Sequence, residues 1–298
     1  MNPPSRWRLD IARRLATLYA ANPNVAAVLA GGSTARGHAD KYSDLEFGVF
    51  WHQPPTDEER KAAIALSGGD LIRIYPYDPQ YEVWADDLMM GRAAPDAPQS
   101  GLLVEIVHYT ADFMDRTLDN VLLQHDPDED KQVLLSAILT GIPFHNEPLL
   151  HRWRQRVSSY PDELAAAVVK RHSQIDHFWR SEMFLHRHEN LMMLYHSFDQ
   201  VQVKLLHVLL GMNHTYYFGF KWLDVVASHL PIAPPDLLHR LRQVYQIAPA
   251  QAAPLLAALV EETYDLIEQH VPGIDVDWLR RVFRYRRPSW EEPPPYGL

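Results

Sequence analysis

The sequence predicts an α+β protein, with a small mixed-sheet domain over residues 1–142 and an all-helical domain over 143–298. Three observations carry that reading. In the first third, short β-prone runs alternate with Gly- and Pro-containing turns. From about residue 111, apolar residues recur at helical spacing instead. Among those helical segments, residues 141–148 (GIPFHNEP) read as a connecting loop at the domain boundary.

The elements follow in order. Residues 5–21 are expected to be helical, with Ile11, Leu15 and Leu18 on one stripe. Residues 25–30 form a short apolar strand that runs into a glycine-serine turn. Residues 44–51 form the next strand, with Leu45, Phe47, Val49 and Trp51 along one face. A short helix over 56–66 follows Pro54 and Pro55, and strands are expected at 71–75 and 81–88. Residues 93–100, with Pro95 and Pro98, read as a loop, and 102–109 as a strongly β-prone run. Helices are expected at 113–123, 131–139, 162–172, 175–188 and 191–210. In the last of these, Phe198, Val201, Leu205, Leu209 and Met212 keep steps of three and four. Further helices are expected at 220–229, 236–245, 252–270 and 277–285. The tail from Pro288, with Pro293, Pro294 and Pro295, cannot continue a helix and is expected to be extended.

Composition narrows the function. Apolar residues make up 47% of the 298, enough for full cores, and the formal net charge is -10. An acidic chain repels a long polyanion, so nucleic acid is not expected as a partner. With no cysteine, disulfides, Cys-zinc sites and thiol nucleophiles are excluded. No secretory segment follows Met1 and no apolar run approaches a membrane span, so a cytoplasmic location without membrane contact is expected. The 16 histidines offer no trusted metal spacing; His186 and His188 point apart on a helix.

The chemistry concentrates near the N-terminus. Gly31-Gly32-Ser33 is followed, after ten residues, by Asp44-Leu45-Glu46-Phe47. Strand alternation puts Asp44 and Glu46 on one face. Two adjacent carboxylates repel by about 1 kcal/mol in water and about 4 kcal/mol at an effective dielectric of 20. Mg²⁺, a hard cation that arrives with substrate phosphates, relieves that repulsion. The turn just upstream offers N–H groups and a hydroxyl to those phosphates. A third acid, Glu105, stands alone between Val104 and Ile106. Were it buried, it would need a proton, a basic partner or a cation. Either a salt bridge to a core Arg or Lys, or a place beside Asp44 and Glu46, meets that need.

This pattern resembles the nucleotidyltransferase superfamily that includes DNA polymerase β, and within it the subset with a helical C-terminal domain, to which kanamycin and lincosamide nucleotidyltransferases belong. The segment Asn213-His214-Thr215-Tyr216 before Lys221-Trp222 is similar to the helical half of uncharacterised bacterial members. The resemblance implies that residues 1–142 are a nucleotidyltransferase catalytic domain. It implies that Gly32 and Ser33 hold the β- and γ-phosphates of a nucleoside triphosphate, with ATP the expected one. It further implies that Asp44, Glu46 and Glu105 hold Mg²⁺, and that Glu105 helps deprotonate an acceptor hydroxyl. Many members carry Asp where this chain has Glu46 and Glu105, which leaves metal preference open. Arg36 is placed to meet a phosphate, or to pair with Asp40 or a neighbouring acid. Lys221 could reach the triphosphate, as the resemblance implies, or be a plain surface lysine.

Other features have plainer readings beside the sharp ones. Glu182, Glu189 or Asp199 could assist as general base, or be solvated helix acids. Tyr216, Tyr217 and Phe218 could stack on a ring, or be core. The run 280–287 (RRVFRYRR) could meet nucleic acid, or neutralise the helix terminus and the acids around it. The expected reaction is transfer of a nucleoside monophosphate, AMP above all, to a hydroxyl of a small molecule such as an aminoglycoside-like antibiotic. The bulk acidity suits a cationic acceptor. The alternatives are a toxin-like transferase acting on protein or RNA, and a non-catalytic nucleotide-binding module. Oligomeric state is not legible.

Overall fold

The computed structural model describes residues 1–91, 101–187 and 190–288. The expected loop at 93–100, Glu189 and the Pro-rich tail beyond 288 lie outside the described residues. The chain divides into two compact units, 1–159 and 160–298. The expected α+β class holds: a mixed sheet with helices in the first unit, helices in the second.

In the first unit, α1 (Pro3–Ala20) starts on an Asn2 cap with prolines in its first turn, where a missing N–H costs nothing. There follow β1 (Val25–Ala30), α2 (Gly32–Ala35), β2 (Leu45–Trp51) and α3 (Asp57–Ser67). The last is closed by a Thr56/Glu59 capping box and by Gly68. Then come β3 (Asp70–Ile74), β4 (Trp84–Met90), β5 (Leu102–Thr110), α4 (Ala111–Leu122), α5 (Glu129–Thr140), β6 (Ile142–His145) and α6 (Glu147–Val157). Among the described residues, six strands form one sheet in the order β3-β4-β5-β2-β1-β6. The β2–β5 pair is parallel and the others are antiparallel.

One face of the sheet carries Leu45, Phe47, Val49 and Trp51 of β2 with Val104 and Ile106 of β5. They pack in one core with Leu9, Leu15 and Tyr19 of α1 and Ile64 of α3. The alternation expected for β2 is therefore present. On the other face, Trp153 of α6 meets Phe50 edge-on at 4.9 Å, while Glu46, nearer the start of the same strand, is exposed. Helical cover at one end and exposure at the other set up the site.

The boundary at 159/160 lies beyond the expected 142/143, because β6 belongs to the sheet and α6 to the sheet's unit. Residues 142–145, expected as loop, pair with β1 as its antiparallel neighbour. Asn146 Nδ2 donates to Ala26 O at 2.8 Å, and α6 runs on from there.

The second unit contains α7 (Asp162–His172), α8 (Arg180–His186), α9 (Leu191–Met212), α10 (Leu223–Ser228), α11 (Leu237–Gln243), α12 (Pro249–His270) and α13 (Val276–Arg284). Phe198, Val201, Leu205 and Leu209 are buried in its core, as their spacing required. The helix expected over 175–188 is shorter: Ile175 and Phe178 are buried in the core ahead of α8. Tyr216 is buried and Tyr217 and Phe218 pack against the same core, which favours their plainer reading. Arg284 meets Glu261 through two bonds of 2.7 and 2.8 Å, and Arg280 pairs with Asp265 and Glu268. The basic run thus answers the acids of α12.

His207 of α9 is 1% exposed and stacks on His172 with ring centroids 4.3 Å apart. Burial, and to a lesser extent the Arg171 charge, lower its pKa from 6.5 to about 4. The unfolded chain then binds a proton that the folded one refuses. Its stability contribution is complete above pH 6.5 and lost as pH falls towards 4, a loss of at most about 3 kcal/mol. Urea unfolding midpoints measured from pH 7.5 to 4.5 should fall, and His207→Phe should flatten the fall.

Candidate active site

The glycine-serine turn follows β1 directly. Gly31 N–H donates to Glu46 O at 3.0 Å, which ties the turn to the start of β2. Gly32 has φ +60°, the left-handed region that favours glycine. A Cβ there would also stand 2.2 Å from Glu46 Oε1. The glycine thus lets the Glu46 carboxylate lie against the turn. Gly32→Ala should cost about 1–3 kcal/mol of backbone strain. Because the glutamate is flexible, the clash is relieved by pushing its carboxylate away. Thermal unfolding should show the first effect, and weaker binding of ATP with Mg²⁺ in calorimetry the second.

The register brings two of the expected acids together. Glu46 is the Cα partner of Glu105 across the parallel β2–β5 pair. Neighbouring strands lie about 4.8 Å apart, so the two side chains leave the same face side by side. Glu105 is exposed, not buried. Val104 and Ile106 take the core face, so the residue between them must take the other. Its partner on the next strand is Asp87 of β4. That acid is half-buried, and its Oδ2 accepts from the Tyr75 hydroxyl at 3.1 Å. The row Glu46–Glu105–Asp87 therefore crosses three strands.

Sequence reasoning missed Asp87, although the doublet Asp86-Asp87 in a β-prone run carries a signal. Alternation must send one acid to each face. Asp86 goes inward to Arg60 at 2.5 Å and His108 at 2.8 Å, and Asp87 goes outward.

Asp44 lies just before β2 and is half-buried. Among the described residues, the carboxylate oxygens of Asp44, Glu46 and Glu105 do not all come within 4.8 Å of one another. Asp44 instead lies within the field of Arg8 of α1. Burial lowers the Arg8 pKa, and the Asp40 and Asp44 charges oppose that fall.

Arg36, one turn beyond Gly32, donates to Ser136 Oγ at 3.3 Å. Burial lowers its pKa, and the Glu46 charge partly restores it, which puts a cation within the field of the carboxylate. Asp40, the alternative partner for Arg36, accepts from Tyr42 N–H at 2.9 Å and from Ser43 Oγ at 3.0 Å. Ser33 is 6% exposed and its carbonyl accepts from His38 N–H at 2.9 Å. In the second unit, Lys221 is exposed just before α10. There too Glu182 pairs with Arg286 at 3.0 Å, and Asp199 is exposed near Tyr245, whose pKa it helps burial to raise.

Asp44, Glu46, Glu105 and Asp87 each offer only carboxylate oxygens, although among the described residues no three of them bring those oxygens within 4.8 Å of one another. Carboxylate oxygen is the donor that hard divalent cations take, Mg²⁺ among them.

A family model described as a domain of unknown function (DUF4037) matches residues 129–223, which begin after the carboxylate row. A search among curated proteins finds no match. Among solved structures, the chain is similar to a nucleotidyltransferase-like protein from Exiguobacterium sibiricum 255-15. The two are 12% identical with a TM-score of 0.40, over 87% of this chain and 74% of that one.

Proposed function

We propose that the chain is a nucleotidyltransferase that moves a nucleoside monophosphate, AMP from ATP, to a hydroxyl of a small molecule. One observation carries this reading: Glu46 and Glu105 stand in register on parallel strands, with the Glu46 carboxylate against the Gly31–Gly32 turn. Asp44, Glu46 and Glu105 would hold Mg²⁺, which when bound screens phosphate charge and stabilises the oxygens at the reacting phosphorus. Gly32 and Ser33 bind the β- and γ-phosphates, and Arg36 neutralises them from one side. Glu105 takes the proton from the acceptor hydroxyl. The acceptor oxygen forms its bond to the α-phosphorus as the bond to the β-phosphate oxygen breaks, and pyrophosphate leaves.

The test is incubation with labelled ATP, Mg²⁺ and a panel of aminoglycosides, lincosamides, hydroxylated aromatic acids, total RNA and the protein itself. Label on a small molecule with release of pyrophosphate is expected. Label in no lane, together with no binding of ATP and Mg²⁺ by calorimetry, would overturn the proposal.

A further inference from the structure

Beside Asp44 the first unit opens a cleft of about 930 Å³ between α1, residues 40–44 and the adjoining ends of β4 and β5. Its α1 wall is made by Trp7, Arg8, Ile11 and Arg14 at helical spacing, with Ile11 also packed against the core. Arg8 is buried in the floor, with its guanidinium 4.1 Å from the Trp7 ring centroid. It donates to the carbonyls of Pro4 at 3.0 Å, Asp40 at 2.8 Å and Ser43 at 2.6 Å, and the Asp40 and Asp44 charges partly offset its own. Arg14 has no ion-pair or hydrogen-bond partner among the described residues. Lys41 likewise has no carboxylate partner among them and lies 4.7 Å from the Tyr42 ring centroid. Trp7 is 45% exposed and Tyr42 79%, large ring areas to leave in water. Met89, Met90 and Leu103 make the opposite wall apolar.

We infer that this cleft binds a ligand with a flat apolar body and an anionic group. The rings and methionines take the body; Arg14 and Lys41, with Arg8 beneath, take the charge. Three cations against Asp40 and Asp44 give the cleft the opposite sign to the chain as a whole. The bulk charge suited a cationic, aminoglycoside-like acceptor, and the local charge disfavours it. With Asp44 in its wall, the cleft is the acceptor side of the reaction. That last step rests on the nucleotidyl-transfer reading; the binding site itself does not.

The probe is 8-anilinonaphthalene-1-sulfonate, a fluorescent aromatic anion, titrated into the full chain without nucleotide. Saturable binding is expected, weakened about tenfold or more by Arg14→Glu with Lys41→Glu, since each exposed contact turns from attraction to repulsion. Trp7→Ala should weaken it as well, and the cationic ring compound proflavine should bind more weakly than the anion. All three positions are exposed, so circular dichroism and the unfolding midpoint should match wild type. Unchanged probe affinity in the double variant, or equal affinity for proflavine, overturns the binding site. In the acceptor panel, label on a hydroxylated aromatic acid that falls in the double variant supports the acceptor assignment. Label on an aminoglycoside instead overturns it. If no substrate is labelled and ATP with Mg²⁺ does not bind, the transfer reading and the acceptor assignment fall, and the probe result alone decides the cleft.

Discussion

Asp44→Ala is expected to lower nucleotidyl transfer by about 10³-fold or more, the scale on which charge-stabilising groups act at phosphoryl centres. The fold should hardly notice. Asp44 is half-buried, and Arg8, the cation in whose field it lies, is anchored through backbone carbonyls that the substitution leaves in place. The unfolding midpoint should therefore stay within a few degrees of wild type, as for a change under about 1 kcal/mol. Asp44→Asn keeps the shape and removes the charge; its turnover should fall nearly as far, which separates charge from packing. Wild-type turnover in Asp44→Ala would remove the cation assignment, because the remaining pair, Glu46 and Glu105, would then suffice.

The parts of the site that were legible followed from strand periodicity. Leu45, Phe47 and Val49 announced which face of β2 enters the core, and hence which face carries Glu46. The same rule applied to β5 would have exposed Glu105, but the run Leu102–Tyr109 is apolar on both faces and reads as a strand buried on both. The structure covers the second face only in part, with Trp153 at Phe50 and solvent at Glu105. No local signal says where such cover ends. The partner of a strand is equally absent from its own sequence. β6 contains Pro143 and is followed by Asn146 and Pro148, all turn residues. Yet Ile142 pairs with Ala30, and Pro148 opens α6, where proline is tolerated, rather than closing a loop. The change of period at residue 111 was real. It marked the step from strands to the helices α4, α5 and α6, which still belong to the sheet's own unit, and not the end of that unit.

Asp86→Ala should cost about 3–5 kcal/mol, because it strands buried charge rather than merely losing an attraction. Asp86, Arg60 and His108 are all 0% exposed. Trp51 Nε1–H donates to His108 Nδ1 at 3.2 Å, and an indole nitrogen can only donate. His108 therefore carries its proton on Nε2 and gives it to Asp86 Oδ2 at 2.8 Å, while Asp86 Oδ1 accepts from Arg60 at 2.5 Å. Remove the carboxylate, and Arg60 keeps a buried charge met by Asp57 at the rim and the carbonyls of Tyr75 and Ala85. His108 then loses its acceptor. Asp86→Asn retains one acceptor and should cost less. Acid should sharpen the difference. Burial lowers the His108 pKa while Asp86 opposes that fall, so stability from the neutral ring is complete above pH 6.5 and declines below it. Without Asp86 the folded value drops further, and the decline with falling pH extends to lower pH. Urea midpoints followed downward from pH 7.5 for wild type and both variants measure where each decline ends. An Asp86→Ala protein within 1 kcal/mol of wild type would mean that the buried chain of bonds does not hold β4 against β5. The register that sets Asp87 opposite Glu105 would then need another cause.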